Sequence, residues 1–147
     1  MGKAKQTEED QSDVVRGKRI LVVDDIEVNR IILTKILSTL GASCDTAGNG
    51  QEAVDKFLDA ESGAYDLILM DVQMPVMGGY EATRAIRASD HPEAGTVPII
   101  AMTANAFVDD VREAIESGMD AHIAKPVQIE TLKTTIRHVL DGRRTQA

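Results

Sequence analysis

The stretch RILVVDDIEVNRIILTKILSTLG, residues 19–41, decides the fold. It opens on four aliphatic residues, Ile20-Leu21-Val22-Val23, a run that suits a strand buried on both faces. Two carboxylates, Asp24-Asp25, break the run. Helical spacing then takes over at Val28, Ile32, Ile36 and Leu40, and Gly41 supplies a stop. A buried strand passing through a polar corner into a helix is one βα unit.

The same alternation repeats down the chain. Leu67-Ile68-Leu69-Met70 and Val97 to Met102 read as buried strands, and Ser43 to Ala47 and Ala121 to Ala124 as weaker ones. Helical spacing joins Ala53, Phe57 and Leu58; Ala82, Ile86 and Ala88; Val111, Ala114 and Ile115; and Ile129, Leu132, Ile136 and Leu140. Gly63, Gly118 and Gly142 follow helical runs as stops. Five βα units in strict order predict an α/β fold, a doubly wound five-stranded parallel sheet with five helices and right-handed crossovers. Residues 1–18, polar and of mixed charge, read as a tail or linker, 19–141 as one domain, and 142–147 as a C-terminal tail.

Composition narrows the function classes. The chain has 147 residues, 43% of them hydrophobic, which is enough for one domain with a real core. No apolar run approaches the roughly 18 residues of a membrane span, so no membrane contact is expected within this chain. The first ten residues carry no apolar segment of a secretory signal, and a cytoplasmic location is expected. Cys44 is the single cysteine, which rules out an internal disulfide and a thiolate metal cage. A net charge of −8 argues against direct nucleic-acid binding, which needs clustered Lys and Arg.

In open parallel sheets, ligands bind beyond the carboxyl ends of the strands. Asp24-Asp25 end the first strand, Asp71 the third, Thr103 the fourth and Lys125-Pro126 the fifth. Carboxylates crowded together repel one another unless a cation neutralises them. A hard divalent ion such as Mg²⁺ takes oxygen ligands and leaves positions for phosphate oxygens. Asp is a competent nucleophile on phosphorus, and a hydroxyl, an ammonium and a metal can stabilise the equatorial oxygens.

With these residues in view, the chain resembles a receiver domain of the two-component response regulator family. The resemblance rests on Val22-Val23-Asp24-Asp25, on Leu69-Met70-Asp71-Val72-Gln73-Met74-Pro75-Val76-Met77, on Ala101-Met102-Thr103-Ala104-Asn105 and on Ala124-Lys125-Pro126, in that order. It implies a flavodoxin-like strand order 2-1-3-4-5. It also implies that Asp71 accepts a phosphoryl group from a phosphohistidine on a sensor histidine kinase or histidine phosphotransfer protein. Asp25, Asp71 and the Gln73 carbonyl would hold Mg²⁺, with Mn²⁺ as a substitute, and Asp24 would contact metal-bound water and orient Lys125. Thr103 and Lys125 would engage the phosphoryl oxygens. The family switch would repack the face from Ala106 to Leu140, which leaves room for a phosphorylation-dependent homodimer. Self-phosphorylation from small donors and autodephosphorylation are implied, and no kinase activity of the chain's own. Asp25 to Arg30 and Gly118 to Pro126 resemble receivers attached to hybrid sensor kinases.

Some positions depart from the family pattern or vary within it. His122 stands three residues before Lys125, where many relatives carry an aromatic switch residue. Gly78-Gly79 replace the usual Asp-Gly, which removes a side-chain cap from the third helix. Small Ala104 leaves the phosphoryl site open, and Gln73 and Asn105 occupy positions that tune phosphoryl lifetime.

Three alternatives have recognisable signatures. A haloacid-dehalogenase-like phosphohydrolase needs a second Asp two residues after its nucleophile, but Ile26 and Glu27 stand there. A flavin-binding protein needs a phosphate-cradling loop after the first strand, where Asp24 and Asp25 would repel the anion. A receiver-like interaction module that has lost phosphorylation would be expected to lack one or more of Asp24, Asp25, Asp71, Thr103 and Lys125.

Overall fold

The computed structural model describes residues 14–104 and 108–146. Ten elements alternate along the chain: β1 (Arg19–Val23), α1 (Glu27–Thr39), β2 (Ser43–Ala47), α2 (Gly50–Asp59), β3 (Leu67–Asp71), α3 (Gly79–Arg87), β4 (Ile99–Thr103), α4 (Val108–Ser117), β5 (Ala121–Ala124) and α5 (Ile129–Gln146). The strands form one sheet in the order β2-β1-β3-β4-β5, and every neighbouring pair is parallel. This is the expected doubly wound sheet.

Successive strand side chains point to opposite faces, so the central strands β1, β3 and β4 feed two cores. Leu21, Val23, Ile68, Met70, Ile99 and Ala101 pack with Ala53, Val54 and Phe57 of α2, Ala82 and Ile86 of α3 and Ala114 of α4. Ile20, Val22, Leu67, Leu69, Ile100 and Met102 pack on the other face with Leu33 and Leu37 of α1 and Leu132, Ile136 and Val139 of α5. β3 and β4 are buried along their whole length, which explains their unbroken aliphatic runs. On the edge strand, Asp45 of β2 accepts from both Arg19 (2.9 and 3.0 Å) and the Tyr65 hydroxyl (2.7 Å).

Four details differ from the sequence reading. The inner face of α1 is Leu33 and Leu37, while Val28 and Ile32 are exposed. The helix is apolar on more than one side, so periodicity alone does not choose its inner face. β4 begins at Ile99 rather than Val97, because Pro98 has no N–H to give to the ladder. Part of the stretch read as a polar tail is packed: Val15 is fully buried among the α1 and α5 residues, and Gly17 N–H donates to Gly41 carbonyl oxygen at 2.9 Å. α5 in turn runs on through Gln146.

Candidate functional site

Because all five strands are parallel, their carboxyl ends lie on one edge, and the register aligns them closely. Val23 pairs with Met70, Asp71 with Met102, and Thr103 with Ala124. Asp24 and Asp25 follow β1, Asp71 and Thr103 are the last residues of β3 and β4, and Lys125 follows β5. The structure thus brings Asp24, Asp25, Asp71, Thr103 and Lys125 to one edge. Asp24 (1% exposed), Asp71 (4%) and Thr103 (7%) are buried, and Asp25 is exposed.

Lys125 Nζ lies 3.0 Å from Asp71 Oδ2 and 3.2 Å from Asp24 Oδ2. The other Asp24 oxygen accepts the Ile26 N–H at 2.9 Å, and Asn29 Nδ2 stands 3.5 and 3.4 Å from the two Asp24 oxygens. Gln73 N–H donates to Asp71 Oδ1 at 3.4 Å. Carboxylate oxygens of Asp24, Asp25 and Asp71 lie within 4.8 Å of one another.

Burial pushes the Asp71 carboxyl above its usual range, Lys125 pulls it back, and the Asp24 charge adds to the rise. Burial alone would lower the Lys125 ammonium, but Asp71 and Asp24 together hold it above its ordinary value. Three carboxylates around one ammonium leave excess negative charge, which an oxygen-preferring divalent cation can neutralise. Mg²⁺ therefore fits the donor set. A buried carboxylate oxygen 3.0 Å from an ammonium, on the sheet edge that also carries the Thr103 hydroxyl, is equipped to attack phosphorus and to stabilise the charge that develops.

The loops around the site mesh through two glycines. Gly50 N–H donates to the Met77 carbonyl oxygen at 2.9 Å, tying the start of α2 to the β3–α3 loop, and a Cβ on Gly50 would overlap that oxygen. A Cβ on Gly79 would overlap the carbonyl oxygen of Asp71 itself. Gly78 gives α3 no side-chain cap, as expected, and Glu81 reaches back to the Gly78 N–H at 3.4 Å.

Between them lies a tight turn in which Met77 N–H donates to the Pro75 carbonyl oxygen at 2.7 Å and Val76 takes φ +70°. The left-handed region costs a β-branched residue on the order of 1–2 kcal/mol, and Asn tolerates it better. Val76 is 82% exposed and buries little. Val76→Asn is therefore expected to raise stability by about 1 kcal/mol, seen as a melting temperature higher by about 2–4 °C. An unchanged or lower melting temperature would refute the strain.

Gln73 and Ala104 are exposed at the rim, His122 is exposed on β5, and Asn105 lies outside the described residues. The Lys125–Pro126 peptide is cis. Sequence reading did not single out Asn29, the Ile26 and Gln73 amides or the tight packing of Gly79. A crevice of about 360 Å³ opens beside Asp24 and Lys125, walled by Asn29, Ile32 and Leu33 of α1 and by Pro126 and Val127.

Comparison with known proteins agrees with this geometry. Residues 20–137 match the family described as response regulator receiver domain. A probable histidine kinase 2 of Oryza sativa subsp. indica is 40% identical over 149 residues, covering 94% of this chain but only 14% of the rice protein. The receiver domain of sensor histidine kinase PA1611 from Pseudomonas aeruginosa PAO1, with a magnesium ion coordinated in its active-site cleft, superposes with a TM-score of 0.75. It is 36% identical over 85% of this chain and 98% of that one. A chain in the co-crystal structure of the Saccharomyces cerevisiae phosphotransfer protein Ypd1 with the receiver domain of its downstream response regulator Ssk1 gives 0.72. It is 33% identical over 83% of this chain and 88% of that one.

Proposed function

The chain belongs to the response regulator receiver domain family, and we propose that in its two-component pathway Asp71 is the residue that accepts the phosphoryl group. The observation that carries this reading is the buried Asp71 carboxylate held 3.0 Å from Lys125, with Asp24 and Asp25 within reach. An Asp71 oxygen attacks phosphorus of a phosphohistidine. The new O–P bond forms as the P–N bond breaks, and the imidazole leaves with the bond's electron pair. Thr103 and Lys125 hold the phosphoryl oxygens. Asp25, Asp71 and the Gln73 carbonyl hold Mg²⁺, or Mn²⁺ in its place, and Asp24 orients Lys125. The ion supplies charge neutralisation for the incoming phosphoryl group. Ala104 leaves the approach open, Gln73 and Asn105 set the lifetime of the acyl phosphate, and His122 modulates the face that responds.

The donor is a protein, either a sensor histidine kinase or a histidine phosphotransfer protein. Ile31 and Ile32 on α1 are each more than half exposed, and Ile32 borders the crevice beside Lys125. Such a contiguous apolar rim suits a partner helix. A phosphorylation-dependent homodimer through α4, β5 and α5 belongs to the same reading.

Intact-protein mass spectrometry after incubation with acetyl phosphate tests it. One phosphoryl addition that requires Mg²⁺ and is labile to acid and base is expected. Addition without a divalent ion, or at a histidine, would overturn the assignment.

A further inference from the structure

Asn29-Arg30 belong to the motif that sets this chain's sequence style, yet the phosphoacceptor reading gives them no task. The structure shows what they grip. Asn29 lies against the Asp24 carboxylate, and Arg30 Nη1 donates to the Asp24 backbone carbonyl oxygen at 2.7 Å. The same nitrogen stands 3.6 Å from where a Gly48 side chain would begin, so the guanidinium is wedged between the β1–α1 and β2–α2 loops. A charge-assisted bond to a carbonyl is short and directional.

That carbonyl shares one rigid peptide plane with the Asp25 N–H. Holding the carbonyl therefore fixes the plane that carries the Asp25 N–H and Cα, from which the Asp25 side chain departs. Asp25 is the exposed member of the acidic cluster, while Asp24 and Asp71 are clamped by Lys125 and by burial. We propose that Arg30 is a positioning residue that acts through the Asp24 carbonyl to aim the Asp25 carboxylate, so that the cation site is formed before the cation arrives. The inference rests on the phosphoacceptor reading above.

Charge and geometry make opposite claims here, which gives the test its sign. As a nearby positive charge, Arg30 would repel a divalent cation, and its removal would tighten binding. As a positioning group it would weaken binding when removed, and groups that orient metal ligands are typically worth 10–100-fold in affinity.

The full 147-residue chain is titrated with Mg²⁺ alone, and amide shifts in the nuclear magnetic resonance spectrum are followed, which read only folded molecules. Arg30→Met is expected to weaken Mg²⁺ binding about tenfold, and Arg30→Lys, which keeps a donor for the carbonyl, to recover most of it. Should Arg30→Met fail to fold, Arg30→Gln, which is too short to reach the carbonyl, is expected to show the same loss. Unchanged or tighter binding in these variants would overturn the inference, and so would equal loss in Arg30→Lys, which would assign the effect to packing. If wild type itself neither binds Mg²⁺ nor takes a phosphoryl group at Asp71, the functional reading falls and the inference with it. If wild type does both and Arg30→Met matches it, the Arg30 inference alone falls.

Discussion

Asp71→Asn is expected to abolish phosphoryl incorporation and to raise the melting temperature of the metal-free protein. The first effect follows from bonding: an amide offers no anionic oxygen to attack phosphorus, so no acyl phosphate forms. The second follows from burial. The folded environment lifts the Asp71 carboxyl above its usual range despite Lys125, so the folded chain binds that proton more tightly than the unfolded chain does. Stability from this group is therefore greatest when the carboxyl is protonated and is lost as pH rises through the raised range. At neutral pH the ionised Asp71 opposes folding, and Asn removes that opposition while Lys125 keeps Asp24 at 3.2 Å. Calorimetry in the presence of a chelator should show the variant melting higher at pH 7, with the gap closing on acidification. A variant that melts lower at pH 7 would mean that the Lys125 pair outweighs burial.

Gly79→Ala is expected to destabilise the protein by about 2–3 kcal/mol, the upper part of the usual range for overpacking, and to slow phosphorylation as well. A methyl group there meets the carbonyl oxygen of Asp71 and comes within 3.0 Å of the Val72 Cα. Both are backbone atoms, which cannot swing aside as a flexible side chain does. Relief must come from moving α3 away or from turning the Asp71 peptide, and the second displaces the proposed phosphoacceptor itself. Gly95→Ala is the control, since a Cβ there meets nothing within 4 Å. It should change stability by less than about 0.5 kcal/mol. Denaturant midpoints and rates with acetyl phosphate read both effects. A Gly79→Ala protein as stable as Gly95→Ala would refute the close approach.

Most of the architecture was legible because each βα unit changes its hydrophobic period at a polar corner. The acidic cluster was legible for the same reason, since Asp24, Asp25, Asp71 and Lys125 sit where strands end. What stayed hidden depends on contacts between distant backbones. Gly79 follows the missing cap at Gly78 and reads in the chain as an ordinary loop glycine, and only the approach of α3 to β3 shows its purpose. Val15 sits in a polar stretch whose composition masks one buried side chain. The outward isoleucines of α1 resemble core residues because periodicity measures spacing and not which side meets the sheet. Arg30 stood in a stretch that carries the family resemblance, but nothing in the chain pointed to its contact, since its partner is a carbonyl oxygen, which every residue possesses.

The strand order bears on synthesis at the ribosome. β1 is flanked by β2 and β3, so every partner it needs has been translated by Asp71. A nascent chain that has emerged that far already carries all three acidic residues of the cluster. Lys125 lies at the far end of β5 and is made last among the charged groups of the site. Until it emerges, the growing polypeptide carries that acidic corner without its ammonium, and dissolved divalent ions are the counter-charge at hand.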